Sequence, residues 1–400
     1  MNEFLMTSES VTEGHPDKVC DQISDAILDC ALEQDKNSHV AIETLASKDN
    51  IMIAGEISTT AKLDFVKIAR DVLTDIGYTS KESGIDANSC FILTNVHVQS
   101  PDIAQGVNKN SDQKKVIGGG DQGIMYGFAC NETKNYMPLT LYLSHKLTKR
   151  LAFVRKNGVV PWLYPDGKAQ VTIKYSQDYK PLSLESVILA AQHNSTIHYD
   201  YLKTTLMDEV IMPVLSGMFD LTNTTIKINP TGRFVVGGPA GDTGVTGRKL
   251  MVDTYGGIGR HGGGAFSGKD ATKVDRSSAY MARYAAKNIV AAGLADRCEI
   301  AIAYAIGQVE PEAVSIETFG THHVDKVLIE EATKQLFDFS VAGTIDKLDL
   351  LKPQFLKTAT YGHFGREDQD FAWEKLDMVD TLRREVLAKQ YATFTKGGLK

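Results

Sequence analysis

Glycine is concentrated in one part of this chain, between residues 231 and 276. Residues 231–249 read TGRFVVGGPAGDTGVTGRK, and residues 256–270 read GGIGRHGGGAFSGKD. Glycine lets a backbone pass close to a ligand, but it destabilises helices and strands. Loops of this composition are therefore candidates for a binding site.

The end of this stretch comes close to a phosphate-binding P-loop and then departs from it. Gly263, Gly268 and Lys269 have the spacing of G-x-x-x-x-G-K-[ST], but Asp270 stands where a hydroxyl residue should hold magnesium. Lys269 can still reach a phosphate. We therefore expect a different kind of phosphate site, with magnesium held by carboxylates, and the departure disfavours a P-loop kinase.

Charged residues are spaced through the same loops. The chain carries 43 basic and 50 acidic residues, a net charge of −7, so bulk charge does not attract an anionic ligand. A phosphate site must then be a local basic pocket, and acids among the cations can hold magnesium or a ligand amine. The charged residues that we single out between residues 231 and 276 are Arg233, Asp242, Arg248, Lys249, Arg260, Lys269, Asp270, Lys273 and Asp275.

The segment EGHPDK precedes a predicted amphipathic helix over 16–34. Pro16 suits the first helical position, and a helix start favours phosphate, with His15 as a donor and Asp17 as a magnesium ligand. An ordinary helix cap explains the same residues. The periodicity predicts a core face through Val19, Ile23, Ile27 and Ala31, and it predicts a solvent face through Asp21, Asp25 and Asp29.

Two acids lie inside apolar strand patterns that the turn at residues 48–50 would join as a hairpin. Glu43 and Glu56 would then nearly face each other, and a buried carboxylate needs a cation or a ligand amine. Exposure to solvent is the equal alternative. Asp121 in GGGDQG and the pair Asp166 and Lys168 in PDGKAQVTIKY indicate only turns when taken alone.

Three α/β units of similar size follow each other along the chain. Their hairpin-like strand pairs predict an α+β (mixed α/β) fold with mixed or antiparallel sheets. The polar, aperiodic segment 99–115 between the first two units is long for a connection, and we expect a lid. The predicted elements are helices 16–34, 64–76, 139–157, 199–216, 277–293 and 324–337, and strands 39–46, 51–58, 90–98, 169–175, 183–191, 299–306 and 313–318.

Composition excludes several classes of function. The N-terminus has no signal peptide, no apolar run is long enough to cross a bilayer, and the acidic balance argues against nucleic-acid and membrane-surface partners. The five scattered cysteines form no CxxC pair, which makes a zinc site unexpected and favours a cytoplasmic location.

The chain closely resembles the S-adenosylmethionine synthetase (methionine adenosyltransferase) family. The resemblance runs in the family's order from the N-terminus to the last helix, with small departures at Ala54 and Gly119 that put little in doubt. The motifs that carry it are TSESVTEGHPDK (7–18), GGGDQG (118–123), NPTGRFVVGGPAGDTGVTGRK (229–249), residues 253–280 and YGHFGR (361–366).

The resemblance implies a reaction and a site. The family joins ATP and methionine by attack of sulfur on C5′ of the ribose, then hydrolyses the bound triphosphate to phosphate and diphosphate. It implies magnesium at Asp17 and Asp275, potassium at Glu43, methionine contacts at Glu56, Gln99, Asp242 and Lys273, and catalytic roles for His15, Lys168, Arg248, Lys249 and Lys269. The implied ATP contacts are His15, Asp166, Lys168, Arg233, Phe234, Asp242, Arg248, Lys249, Ala265 and Lys269.

The resemblance also implies an architecture. The family has three similar two-layer domains about a pseudo-threefold axis, and its usual assembly is a homotetramer, a dimer of dimers whose active sites two subunits share. We predict an N-terminal domain over 1–100, a mobile active-site loop over 101–117, a central domain over 118–232 and a C-terminal domain over 233–400. A noncatalytic ATP-binding subunit is the alternative function, disfavoured because the active-site set is complete.

Overall fold

The computed structural model describes residues 3–98, 108–111 and 114–397. Its helices are α1 (Pro16–Gln34), α2 (Phe65–Ile76), α3 (Leu139–Lys156), α4 (Tyr199–Leu206), α5 (Met212–Leu215), α6 (Leu250–Asp253), α7 (Val274–Ala291), α8 (Lys326–Leu336), α9 (Val341–Lys347) and α10 (Val379–Gly397), with a π-helical turn at Met207–Ile211. Its strands are β1 (Phe4–Val11), β2 (His39–Ser47), β3 (Asn50–Ser58), β4 (Thr79–Ser80), β5 (Ile85–Asp86), β6 (Phe91–His97), β7 (Asn108–Ser111), β8 (Lys114–Ile117), β9 (Gly123–Cys130), β10 (Leu163–Tyr175), β11 (Pro181–His193), β12 (Thr225–Ile228), β13 (Gly244–Val245), β14 (Arg297–Tyr304) and β15 (Ala313–Glu317).

Three main sheets organise these strands. The first has the order β13-β2-β3-β6, the second β1-β10-β11-β12 and the third β15-β14-β9. The first and second sheets combine antiparallel pairs with one parallel pair each, β3 with β6 and β11 with β12. The predicted mixed α+β class is confirmed.

The three units repeat one pattern along the chain. In each, a long helix (α1, α3 or α7) precedes an antiparallel hairpin (β2-β3, β10-β11 or β14-β15), and a second helix follows the hairpin. In the first two units a strand parallel to the hairpin's second strand comes next. Sequence periodicity found these helices and hairpins because each buries one regular apolar face.

The sheets exchange strands in a cycle. β1, from the start of the chain, pairs with β10 of the second sheet; β9 pairs with β14 of the third; and β13 pairs with β2 of the first. A cyclic exchange of this kind is what three units about an approximate threefold axis would produce. The axis and the domain boundaries at residues 100, 117 and 232 stay predictions. A boundary along the chain does not say which sheet a strand joins, since β1, β9 and β13 each pair with a strand of another unit.

Sequence analysis missed the exchanged strands and the last helix of the chain. It placed no strand at β1 or β9, and no helix at α10. Part of the expected lid, residues 99–107 and 112–113, lies outside the described residues. The remainder of that segment forms the antiparallel pair β7-β8.

Two hydrophobic clusters stabilise the fold. One joins α1 and α2 to α7 and the third sheet, and it includes the predicted core face of α1, where Val19, Ile23 and Ile27 are 0% exposed. The other fills the space between α3, α4 and the second sheet. No helix within the described part of the chain has the length and apolarity needed to cross a membrane.

Candidate active site

The amino-terminal end of α1 holds His15 and Asp17 in fixed positions. His15 is the N-cap, and its Nδ1 accepts a hydrogen bond from Asp17 N at 3.2 Å. Burial, together with the charges of Lys249 and Lys168, lowers the pKa of His15 to about 3. The ring is therefore neutral at neutral pH, and because Nδ1 accepts, Nε2 carries the proton and can donate to a ligand.

Asp17 joins α1 to the glycine-rich loops. Its Oδ1 accepts from Val245 N at 2.9 Å, and its Oδ2 lies 2.5 Å from Lys249 Nζ. Burial raises the pKa of Asp17, but the hydrogen bonds from Lys249 and Val245 outweigh burial and leave the pKa lowered. Arg248 Nε lies 3.8 Å from Asp17 Oδ1, so two cations adjoin this carboxylate.

The prediction that Asp21, Asp25 and Asp29 face solvent is wrong. Asp21 and Asp25 are 0% exposed, and Asp29 is half-buried. Their carboxylates accept the backbone N–H groups that the glycine-rich loops leave unpaired: Gly247 N donates to Asp21 and Gly268 N donates to Asp25, both at 2.8 Å. Buried amides need acceptors, and a helix with an acid every fourth residue supplies a row of them.

A buried lysine neutralises part of this row. Lys18 is 0% exposed, lies 2.8 Å from Asp21 and contacts Asp253. Burial lowers the pKa of Lys18, but the charges of Asp21 and Asp253 raise it by more than burial lowers it. The net pKa is raised, so the lysine is charged. Burial raises the pKa of Asp253 to about 7 despite Lys18. Asp29 accepts the backbone N–H groups of residues 354–356.

The segment that resembles a P-loop runs along the edge of β2 instead of linking a strand to a helix. Ile42 N donates to Gly268 O at 3.0 Å, and Asp270 N donates to Val40 O at 3.1 Å. Gly268 has φ +78°, and a Cβ there would collide with Ile42 O. The amides of Gly268 and Asp270 are bonded within the protein, so they do not form the cradle of amides that binds phosphate in a P-loop. Binding of phosphate by side chains here stays a prediction.

Asp270 explains why the hydroxyl residue of a P-loop is missing. Its Oδ2 accepts from Val40 N at 2.7 Å and lies 2.5 Å from Lys273 Nζ, while its Oδ1 accepts from Thr272 N at 2.9 Å. The carboxylate is 3% exposed and anchors the loop to β2. Lys273, a predicted methionine contact, is engaged in this ion pair.

Lys269 points the other way, towards open space. Its Nζ lies 2.6 Å from Asp275 Oδ2, and the two side chains are 26% and 19% exposed. The predicted second magnesium ligand and the predicted phosphate-binding lysine are thus one partly open ion pair. A ligand could exchange with either member because water already reaches them.

A cavity of about 420 Å³ lies over the first sheet beside this ion pair. The two-residue turn at Lys48 and Asp49 sets the hairpin register, which places Glu43 opposite Ala54 and Glu56 opposite Ala41. The two acids are therefore diagonal neighbours on one face. They line the cavity together with His97, Ala265 and Lys269.

Glu43 and Glu56 differ in their surroundings. Glu43 is exposed, and Glu56 is partly buried with His97 Nε2 at 3.5 Å from its Oε1. The alternative that these acids reach solvent is met for Glu43 in this chain, although β2 is a central strand and not an edge. A pocket of this size, with carboxylates and one lysine at its wall, suits a small zwitterion.

The start of β10 carries two further predicted residues, Asp166 and Lys168. Asp166 Oδ2 accepts from Gly238 N at 2.9 Å, while its Oδ1 is buried without a partner among the described residues. Burial raises the pKa of Asp166 to about 6. Lys168 is exposed two residues further on and acts electrostatically on both His15 and Asp166.

Three more predicted residues lie on the loop between β12 and β13. Phe234 is half-buried, and its N–H donates to His193 Nε2 at 3.2 Å. Arg233 and Asp242 are exposed, and Asp242 Oδ1 caps the following turn by accepting from Thr243 N at 2.9 Å. Gln99 lies outside the described residues.

The described residues contain no group of three His, Cys, Asp or Glu side chains arranged to hold a metal. Asp17 and Asp275 are instead paired one each with Lys249 and Lys269. Single carboxylates fit the way magnesium binds with substrate phosphates, since the ion then takes most ligands from phosphate and water. The donor set therefore suits magnesium that arrives with a nucleotide.

Comparison with known proteins agrees with this geometry. Models of the N-terminal, central and C-terminal domains of S-adenosylmethionine synthetase match residues 3–101, 116–234 and 236–375. The S-adenosylmethionine synthase 1 of Rhodospirillum rubrum is 58% identical over 383 residues, 96% of this chain and 99% of the relative. That of Rhodopseudomonas palustris is 58% identical over 377 residues, 94% and 97% of the two chains.

The chain belongs to the S-adenosylmethionine synthetase family. The S-adenosylmethionine synthase of Sulfurovum is also similar, at 53% identity over 96% of this chain and 98% of the relative. The resemblance inferred from the motifs is confirmed.

Sequence analysis of this S-adenosylmethionine synthetase family member missed the buried residues that bind the backbone of the segments carrying the site residues. It placed Asp25 on a solvent face and gave Arg276 and Gln192 no role. The amide of Gln192 donates to Ser83 O and Val235 O and accepts from Asp166 N. The repeat of an acid every fourth position in 17–29 was the available signal. We read it as a solvent face because charged residues are usually exposed.

Proposed function

We propose that this chain synthesises S-adenosylmethionine from ATP and L-methionine, by attack of the methionine sulfur on C5′ of ATP. A thioether is a neutral nucleophile and needs no base, which fits a site whose histidine is held neutral. The chemical demand falls on the leaving triphosphate and on alignment of sulfur, carbon and oxygen. Family membership over nearly the whole chain supports this activity.

The phosphate end of the site is built from cations around α1 and the glycine-rich loops. Lys249 and Arg248 adjoin Asp17, Lys168 lies near His15, and Lys269 lies at the cavity wall. Preorganised cations stabilise the charge that builds up on a departing triphosphate. We assign catalysis to His15, Lys168, Arg248, Lys249 and Lys269, and ATP binding to these with Asp166, Arg233, Phe234, Asp242 and Ala265.

Magnesium would be held by Asp17 and Asp275, and potassium by Glu43. When bound, magnesium supplies Lewis-acid stabilisation to the triphosphate. Without a nucleotide, Lys249 and Lys269 are paired with the two aspartates, which keeps both partners in place. When a nucleotide binds, the lysines would turn to the phosphate oxygens and the aspartates to magnesium. Glu43 is an exposed carboxylate at the cavity, which is where a monovalent cation could order neighbouring loops.

Methionine fits the cavity over the first sheet. Glu56 would receive its ammonium group, and we also assign methionine binding to Gln99, Asp242 and Lys273, with Lys273 towards the methionine carboxylate. The volume of about 420 Å³ is within the usual range for small-ligand pockets. Lys269 in the same wall brings the methionine end and the phosphate end together.

Hydrolysis of the bound triphosphate to phosphate and diphosphate would follow in the same site. Arg248 is the residue we connect most closely with this step. Its side chain is 53% exposed and projects beside Asp17, so its guanidinium can bind a phosphate with two parallel hydrogen bonds.

The chain would act as a homotetramer, a dimer of dimers with shared sites. The open face of the first sheet exposes apolar side chains next to Glu43 and Glu56, and exposed apolar patches commonly mark protein interfaces. A second copy on this face would close the cavity. The apolar residues are Leu45, Met52, Phe91 and Leu93, which are 39%, 40%, 57% and 49% exposed.

The observation that carries the proposal is that Lys269, which is paired with Asp275, lines one cavity together with Glu43 and Glu56. Incubation with ATP, methionine, magnesium and potassium, followed by mass spectrometry, tests it. We expect a sulfonium product with phosphate and diphosphate. A noncatalytic subunit would bind without product, and a kinase would release ADP; either result contradicts the proposal.

A further inference from the structure

Arg276 lies directly beneath the loop that presents Lys269. It is 0% exposed, and its guanidinium donates to both carboxylate oxygens of Asp25 at 2.7 and 2.9 Å. The same group donates to the backbone carbonyls of Phe266 at 3.0 Å and Lys269 at 3.1 Å. The arginine therefore connects α1 to both ends of residues 266–269.

The carboxylate of Asp25 also binds residues 266–269 directly. Asp25 Oδ1 also accepts from Gly268 N at 2.8 Å. Residues 266–269 are thus held through two carbonyls and one amide by a single buried ion pair, which we name the Asp25–Arg276 clamp. The remaining guanidinium contacts are with Tyr280 and Thr358, both at 3.0 Å, so the fork is fully used.

The clamp does not itself reach the open site. Its side chains are 0% and 1% exposed, whereas the side chain of Lys269 is 26% exposed. Any effect on a ligand must therefore pass through the backbone of Lys269. A planar guanidinium has five N–H donors in fixed directions, so it can bind both oxygens of a carboxylate and two carbonyls at once, which the three donors of an ammonium on a flexible stem do not reproduce.

We propose that Asp25 and Arg276 are positioning residues, which fix the backbone of residues 266–269 so that Lys269 meets the charge leaving with the triphosphate. This inference rests on the proposed function. Preorganisation requires that the supporting groups hold a donor within a fraction of an ångström, and a loop rich in glycine cannot do so alone.

The chain offers a matched control on the same helix. Arg283 is also 0% exposed, binds both oxygens of Glu374 at 3.1 Å, and donates to the carbonyls of Phe128, Asn135 and Tyr136. Its chemistry repeats that of Arg276, but it holds a segment outside the candidate site. Arg283→Lys therefore carries the structural cost of losing a buried fork without disturbing Lys269.

The test compares Arg276→Lys and Arg283→Lys in thermal unfolding and in steady-state kinetics. We expect both to lower Tm to a similar extent, and only Arg276→Lys to lower kcat, by tenfold or more, with a smaller change in KM for methionine. Equal effects of the two variants on kcat would overturn the proposal. Asp25→Asn, judged by the same criteria, replaces Arg276→Lys if the latter does not fold.

A double variant shows whether the clamp acts through Lys269. In a Lys269→Met background, single-turnover rates should change little when Arg276→Lys is added, because the group being positioned is already gone. The same fold-loss in both backgrounds would contradict the inference. Product formation by the wild type is measured alongside, so that failure of the proposed function is distinguished from failure of the clamp.

Discussion

The acids of α1 and Glu43 of the first sheet lie in environments opposite to those that their sequence patterns suggested. Asp21 and Asp25 belong to an expected solvent face, yet they are 0% exposed and bound to protein amides and cations. Glu43 lies in an apolar strand pattern, yet it is exposed on an open cavity.

The difference separates framework charges from ligand charges. Framework groups such as Lys18, Asp25 and Arg276 are buried with several partners each, so losing one leaves an uncompensated charge. Ligand-facing groups such as Lys269 and Glu43 keep part of their hydrogen-bonding capacity open to solvent. Substitutions in the first group should therefore lower stability, and those that release Lys269 should lower turnover as well, whereas substitutions in the second group should lower turnover alone.

The largest effect on stability should come from Lys18→Met. The change leaves Asp21 and Asp253 buried without their cation, and breaking a buried pair costs about 3–5 kcal/mol. Urea unfolding measures it. Lys67→Met, which removes a lysine from the exposed pair with Asp71, should leave the unfolding midpoint nearly unchanged. Equal loss in both variants would remove the distinction between framework and surface charges.

Lys269→Met should instead reduce turnover. We expect kcat to fall on the order of 10²–10³-fold, because one preorganised donor to the developing charge is lost. Methionine binding and the unfolding midpoint should change much less, since the Lys269–Asp275 pair is partly exposed. Calorimetric titration and steady-state kinetics separate the two, and an unchanged kcat would place Lys269 in the framework group.

Asp166→Asn tests how the buried carboxylate of Asp166, whose Oδ1 has no hydrogen-bond partner among the described residues, affects stability at different pH. The folded pKa of about 6 lies above the ordinary value of 3.8, so the stability that Asp166 contributes is present below pH 3.8 and is lost as pH rises through 6. The stability of the variant relative to wild type should therefore increase between pH 4 and pH 8, by up to about 3 kcal/mol. Asp208→Asn, which removes a carboxylate from an exposed position, is the control.

The smallest expected effect is the loss of potassium activation in Glu43→Met. Potassium should activate the wild type, and the variant should lose most of that response while unfolding at the same temperature. Glu9→Met, which removes an exposed glutamate from β1 of the second sheet, should respond as the wild type does. A normal potassium response in Glu43→Met would mean that the ion binds elsewhere.

Sequence alone determined the long helix and the antiparallel hairpin of each unit, and it singled out the glycine-rich loops that meet α1 at the site. Helix 16–34 has the bounds that its periodicity and Pro16 predicted, because local apolar spacing and a helix cap act within a few residues. The motifs identified the family for the same reason, as each is a continuous run of residues.

Tertiary structure decided which strands join which sheet and which charges are buried. β1, β9 and β13 pair outside their own units, and the acids of α1 are buried because unpaired amides of loops more than 200 residues away need acceptors. Neither result can be read from local pattern, since the burial of a charge depends on partners that only folding brings to it.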